Sequence, residues 1–214
     1  MIILQKSVGT NTQATLQTMG INTNQRQFLD QHVFDHVCGH KMLELGAQWL
    51  NCPELGPEYP LRSFAKSYYT KEGWDHTSID LKPHGGCLVK DLRVPGHFAD
   101  QTFALITNHG TTEHISGKEN QYKVFQNLHD WGKVGCVYAH AVPLEDSENM
   151  SYGLGRWHKH GWFGYSSRFW KKFVAECGYR LIYAGSDFGS PCGSRRYSCA
   201  SYVKEKKSKP LPLK

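Results

Sequence analysis

The chain reads as an α/β fold built on a mostly parallel sheet that ends in an antiparallel pair, and three observations lead there. Short apolar runs alternate with stretches of helical spacing along most of the 214 residues. Two of those runs, Met42-Leu43-Glu44-Leu45-Gly46 and Ser78-Ile79-Asp80, deliver an acid at or near their ends. That pattern suits a chain that builds a nucleoside site across the carboxyl ends of parallel strands. The last two β-rich runs, Tyr179 to Ala184 and Arg196 to Val203, are joined by a Gly/Ser/Pro linker, which fits an antiparallel pair closing an otherwise parallel sheet.

Residues 1–27, rich in Gln, Thr and Asn and without periodicity, read as a loosely packed lead-in. Gln25 to Val37 carries Phe28, Leu29, Val33 and Phe34 on one side and predicts a helix broken at Gly39, after which Met42 to Leu45 is a strand. Asn51 to Pro60 is Pro-rich and reads as a loop, and Leu61 to Glu72 predicts a helix capped at Gly73. His76 to Leu81 is the next strand. Gly86 to Lys90 is another, ending at Asp91, and Phe103 to Thr107 is an apolar strand stopping at Asn108-His109-Gly110. Glu119 to Trp131 predicts a helix and Val134 to His140 the following strand. Beyond a polar loop from Leu144 to His160, Phe169, Trp170, Phe173 and Val174 give Ser167 to Cys177 helical spacing up to Gly178.

Composition narrows the function classes. Hydrophobic residues at 39% and aromatics at 13% exclude wholesale disorder, and no apolar run approaches the length of a membrane span. The polar start after Met1-Ile2-Ile3-Leu4 does not resemble a signal peptide. Seven scattered cysteines fit reduced thiols in a cytoplasm better than a disulfide framework. Part of the net charge of +6 sits in a basic tail, residues 204–214, expected to be a solvated end. Without a stripe of Lys and Arg interleaved with aromatics, nucleic acid is a possible partner and not the favoured one.

Several segments together resemble the class I S-adenosylmethionine-dependent methyltransferases. Leu43-Glu44-Leu45-Gly46 is similar to the first motif of that family, Ser78-Ile79-Asp80-Leu81 to its acidic second-strand motif, and Val89-Lys90-Asp91-Leu92 to the strand end beside adenine. Phe103 to Asn108, followed by Thr112-Glu113-His114-Ile115, resembles the fourth strand and the turn after it. The resemblance covers about residues 40–203 and implies one domain over residues 1–214, with a doubly wound, mostly parallel seven-stranded sheet and a C-terminal antiparallel hairpin. S-adenosylmethionine is the implied cofactor, contacted by Glu44, Gly46, Ala47, Gln48, Asp80, Leu81, Asp91, Leu92 and Asn108. The first motif departs from the family pattern, because Ala47-Gln48-Trp49 stands where further glycines are usual.

The implied activity is methyl transfer to an acceptor, a small molecule or sugar before nucleic acid. His114 and then His109 are the candidate catalytic residues, since histidine takes a proton near neutral pH. Trp157, His160 and Tyr165 are candidate acceptor-binding residues in an aromatic segment that suits stacking. No metal is expected: His32 and His36 lie one helical turn apart, but Gly39 should turn Cys38 and His40 away from that face. A noncatalytic binding or scaffold protein of the same fold is the alternative raised by the missing glycines, and an RNA or DNA methyltransferase is another.

Overall fold

The computed structural model describes residues 20–144, 161–186, 188 and 197–210. Its main sheet contains seven strands: β2 (Lys41–Leu45), β5 (Asp75–Asp80), β6 (Leu88–Val89), β7 (Phe103–His109), β8 (Gly132–Pro143), β9 (Arg180–Gly185) and β10 (Tyr197–Val203). They lie in the order β6-β5-β2-β7-β8-β10-β9. All neighbours are parallel except β10, which runs antiparallel to both β8 and β9. Strand order therefore reverses between β2 and β7, the switch point where ligands settle in open α/β sheets.

Two apolar layers sandwich the sheet. On one face α3 (Lys118–Trp131) and α4 (Ser167–Cys177) bring Val124, Phe125, Leu128, Trp131, Trp170 and Phe173 against Leu43, Ile106 and Tyr138. On the other, α1 (Thr23–His32) and α2 (Ala65–Lys71) bring Phe28, Leu29, Tyr68 and Tyr69 against Met42, Leu105 and Val137. Every residue of β7 is buried, as a central parallel strand covered on both faces must be. The Ser167–Cys177 helix has the bounds its spacing predicts: Ser166 accepts from the Phe169 backbone N–H, and Gly178 closes it with φ 68°.

Three expectations are corrected. Residues 21–27 are not a loose lead-in: β1 (Ile21–Asn22) precedes α1, and Asn22 with Gln25 forms a capping box at its start. The predicted loop holds from Cys52 to Pro60, but the helix expected from Leu61 begins only at Ala65, and short strands flank the loop in a second sheet, β1-β3-β4, with β3 at Trp49–Asn51 and β4 at Ser63–Phe64. Those strands are two or three residues long, too short to show an alternation. The basic tail is not a solvated end at its start. Lys204 is buried, and its ammonium donates to the carbonyls of His129 (2.6 Å) and Gly132 (2.8 Å), where α3 ends. Ser208 and Lys209 then bond the carbonyls of Gly178 and Cys177 behind α4.

Lys204→Met should therefore cost about 1–3 kcal/mol, the usual penalty for leaving buried carbonyls unmet. Lys206→Met on the exposed side of the same segment should stay within about 0.5 kcal/mol. Urea unfolding of the two variants checks this, and equal midpoints would return the segment to solvent.

Candidate functional site

A cavity of about 600 Å³ opens at the carboxyl ends of β2, β5, β6 and β7, at the switch point. That volume suits a nucleoside-sized ligand together with a second small molecule. Its floor is the turn after β2. Gly46 continues the ladder by donating to Ile79 O (2.8 Å) and then turns with φ 76°. A Cβ there would come within 2.6 Å of Gln48 Nε2 and 2.7 Å of Thr111 Oγ1, so glycine is required twice over, by conformation and by space. Thr111 donates to Leu45 O (2.7 Å) and accepts from Gln48 Nε2 (3.3 Å), clasping the ends of β2 and β7 where the additional glycines of the motif would stand.

Glu44 lies beneath this turn and does not line the cavity. It is buried, accepts from the Gln48 backbone N–H (3.4 Å) and pairs with His76 Nε2 at 3.4 Å, with the Tyr69 ring stacked on His76. Burial raises its carboxyl above the ordinary carboxylate range, against the pull of His76. Asp80, last residue of β5, faces the cavity. One oxygen accepts from Lys82 N (3.0 Å), the other from Ala47 N (3.2 Å) with His84 Nε2 at 3.5 Å, and the side chain stays 23% exposed. Asp91 also lines the cavity, but the Arg93 guanidinium grips both its oxygens (2.6–3.0 Å) and holds its carboxyl below the usual range.

At the other end, β7 delivers His109 to the lining, and a 3-10 turn at Thr112–His114 delivers Glu113 and His114. His109 is 3% exposed, and burial pushes its imidazole down to about 4. Glu113 is fully buried, and His114 sits at the rim with its side chain 47% exposed. The turn is held from below. Asn108 Oδ1 accepts from the backbone N–H groups of Thr111 and Thr112, and its amide donates to Thr112 Oγ1 (2.8 Å) and His140 Nδ1 (3.1 Å). His140 Nε2 in turn meets the Tyr202 hydroxyl at 2.9 Å.

Of the residues expected at a cofactor, Ala47, Gln48, Asp80, Leu81, Asp91 and Leu92 line the cavity, as do His109 and His114. Glu44, Gly46 and Asn108 do not: they are spent on the backbone of the two turns. Tyr165 is corrected as well. It is buried, with its hydroxyl 2.9 Å from Gln121 Oε1 and 3.1 Å from Thr112 Oγ1, so it supports the turn and forms no acceptor wall. Trp157 and His160 lie outside the described residues. The sequence reading passed over Thr111 and Glu113, although both sit in the turn already singled out for His114. It also passed over Trp49, 37% exposed and stacked on Phe64 at 4.1 Å. His32 stacks on Tyr183, and among the described residues no group of three or more His, Cys, Asp or Glu could hold a metal ion.

Neither a protein-family model nor a curated protein matches this sequence. Solved structures do match it. The N-methyltransferase NodS from Bradyrhizobium japonicum WM9 superposes with a TM-score of 0.57 at 11% identity, over 85% of this chain and 94% of that one. The Burkholderia thailandensis 1,6-didemethyltoxoflavin-N1-methyltransferase, bound to 1,6-didemethyltoxoflavin and S-adenosylhomocysteine, gives 0.55 at 12% identity, over 78% and 71% of the two chains. The fold is that of the class I S-adenosylmethionine-dependent methyltransferases. A protein described as the cyclase SpnF has the same methyltransferase fold, with a TM-score of 0.56 at 9% identity over 85% of this chain and 79% of that one. Chemistry must therefore be argued from the site.

The buried imidazoles couple the stability of the fold to pH. His109 and His129 are pushed down to about 4 and His140 to about 3 from an ordinary 6.5, in each case chiefly by burial. Between 6.5 and those values the unfolded chain binds more protons than the folded one, so stability falls as pH drops through that window. Glu44, whose carboxyl is raised, acts in the opposite sense. His140→Gln should lower stability at pH 7 yet flatten its fall between pH 7 and 5, measured by urea unfolding at each pH. An unchanged slope would remove His140 from the titrating set.

Proposed function

We propose that this protein transfers a methyl group from S-adenosylmethionine to a small-molecule acceptor. The observation that carries the reading is Asp80, an acid at the carboxyl end of the strand next to the first motif, its carboxylate at the surface of a cavity at the switch point. A carboxylate there accepts from two adjacent ribose hydroxyls. The residues present fit the group: Asp80 for the ribose, Leu81, Leu92 and the Asp91–Arg93 pair around the base, and the Ala47–Gln48 backbone with Thr111 at the amino-acid end.

S-adenosylmethionine supplies a methyl group on a sulfonium centre, ready for in-line displacement. The protein's part is positioning. Asp80, held by two backbone donors with His84 beside it, keeps its orientation before a ligand arrives. The Gly46 turn, clasped by Thr111, keeps side-chain bulk out of the floor. His109 and His114 stand at the end where an acceptor enters. A concave volume of about 600 Å³ favours a small molecule over a polymer strand. The liganded neighbour described above, whose second bound molecule is 1,6-didemethyltoxoflavin, supports the same acceptor class.

Isothermal calorimetry with S-adenosylhomocysteine tests the reading. The protein should bind it, and Asp80→Ala should weaken binding by more than about tenfold, because a charge-assisted pair of hydrogen bonds contributes about 1.5 kcal/mol or more. Absence of binding would favour a noncatalytic protein of this fold. Equal affinity in the variant would remove Asp80 from the site.

A further inference from the structure

Among the described residues the two ends of the cavity differ in charge. Around Asp80 and Asp91 stand Lys82, Lys90 and Arg93, whereas at the β7 end the described lining holds Glu113, His109 and His114 and no lysine or arginine. Glu113 is wholly buried, which is rare for a carboxylate and marks a constrained position. Its Oε1 reaches over Gly110, where an added Cβ would come within 3.2 Å, and it lies 3.6 Å from His114 Nε2. His109 is independent of that cluster. Among the described residues neither of its buried ring nitrogens has a hydrogen-bond partner, a costly state that a ligand would relieve.

Resting on the methyl-transfer reading, we propose that the acceptor is a small molecule bearing an amine, its nitrogen oriented by His109 and its developing positive charge met by Glu113. The amine reacts as the neutral base. Its nitrogen lone pair attacks the methyl carbon, the carbon–sulfur bond breaks with its electron pair left on sulfur, and the nitrogen takes a fourth bond and a positive charge. No proton moves in that step, and one leaves to solvent afterwards. A carboxylate fixed beside the nitrogen follows the charge as it passes from sulfur to nitrogen, and it acts most strongly where water is excluded. A hydroxyl acceptor would instead need a base for its proton. His109, held down at about 4 by burial, is a poor one at neutral pH and a good hydrogen-bond acceptor.

Two measurements decide the proposal. S-adenosylmethionine with an isotopically labelled methyl group, incubated with the protein and a pool of cell-extracted small molecules, should give products methylated on nitrogen, as read by mass spectrometry and NMR. Label on oxygen, sulfur or carbon, or no labelled product from a protein that binds S-adenosylhomocysteine, would overturn it. Failure to bind S-adenosylhomocysteine would instead bring down the methyl-transfer reading and this proposal with it. The second measurement is a titration with tetramethylammonium chloride, S-adenosylhomocysteine being present. Binding should be about tenfold weaker or more in Glu113→Gln, with S-adenosylhomocysteine affinity retained. Equal affinity for tetramethylammonium would overturn the role of Glu113. The labelling arm uses the unmodified protein, so it stands even where the variant does not fold.

Discussion

The left-handed turn at Gly46 is the constraint on which the rest of the site depends. By turning where it does, the chain continues the β2–β5 ladder, brings the Ala47 N–H to Asp80 and the Gln48 N–H to Glu44, and leaves room for Thr111 to reach Leu45 from across the switch point. Any side chain at residue 46 would meet Gln48 and Thr111 at once. The missing glycines of the motif are thus compensated by a clasp: a threonine from the neighbouring strand's turn does by hydrogen bonding what a glycine-rich loop does by conformational freedom. The cost is a stiffer floor, and the gain is a carboxylate at Asp80 oriented in advance.

A second network mirrors this one under β7. Asn108, Thr112, His140, Tyr165, Gln121 and Tyr202 are all buried, and their hydrogen bonds tie the Thr112–His114 turn to β8, β10 and α3. Buried polar networks fix a unique geometry when each member is satisfied. Here satisfaction stops at the cavity wall, where His109 has no hydrogen-bond partner among the described residues. Support below and an unmet group above is the arrangement expected of a site that completes itself with a ligand.

The sheet was legible because its strands follow simple rules: an apolar run opening β7, acids at or near the ends of β2 and β5, and a hairpin separated by a Gly/Ser/Pro linker. The α4 boundaries were equally plain, with a serine cap before and a glycine after. The small β1-β3-β4 sheet was not, since two-residue strands carry no period and the Pro-rich composition around them signals a loop. Within the site, sequence position pointed to the right turns and to much of the lining, Asp80, Asp91, His109 and His114 included, but not to every side chain. Glu44 and Asn108 sit at motif positions and serve the backbone, Tyr165 sits in an aromatic segment and serves the core, and Glu113, one residue before the favoured His114, reaches the cavity as well. Burial and hydrogen-bond partners separate such neighbours, and spacing does not.

A crystal structure of the protein with S-adenosylhomocysteine tests the central claim most directly. The account predicts the ribose hydroxyls on Asp80, the adenine beside Leu81 and Leu92, and the sulfur directed toward the His109 and Glu113 end. A ligand bound with its ribose away from Asp80, or seated outside the switch-point cavity, would contradict it.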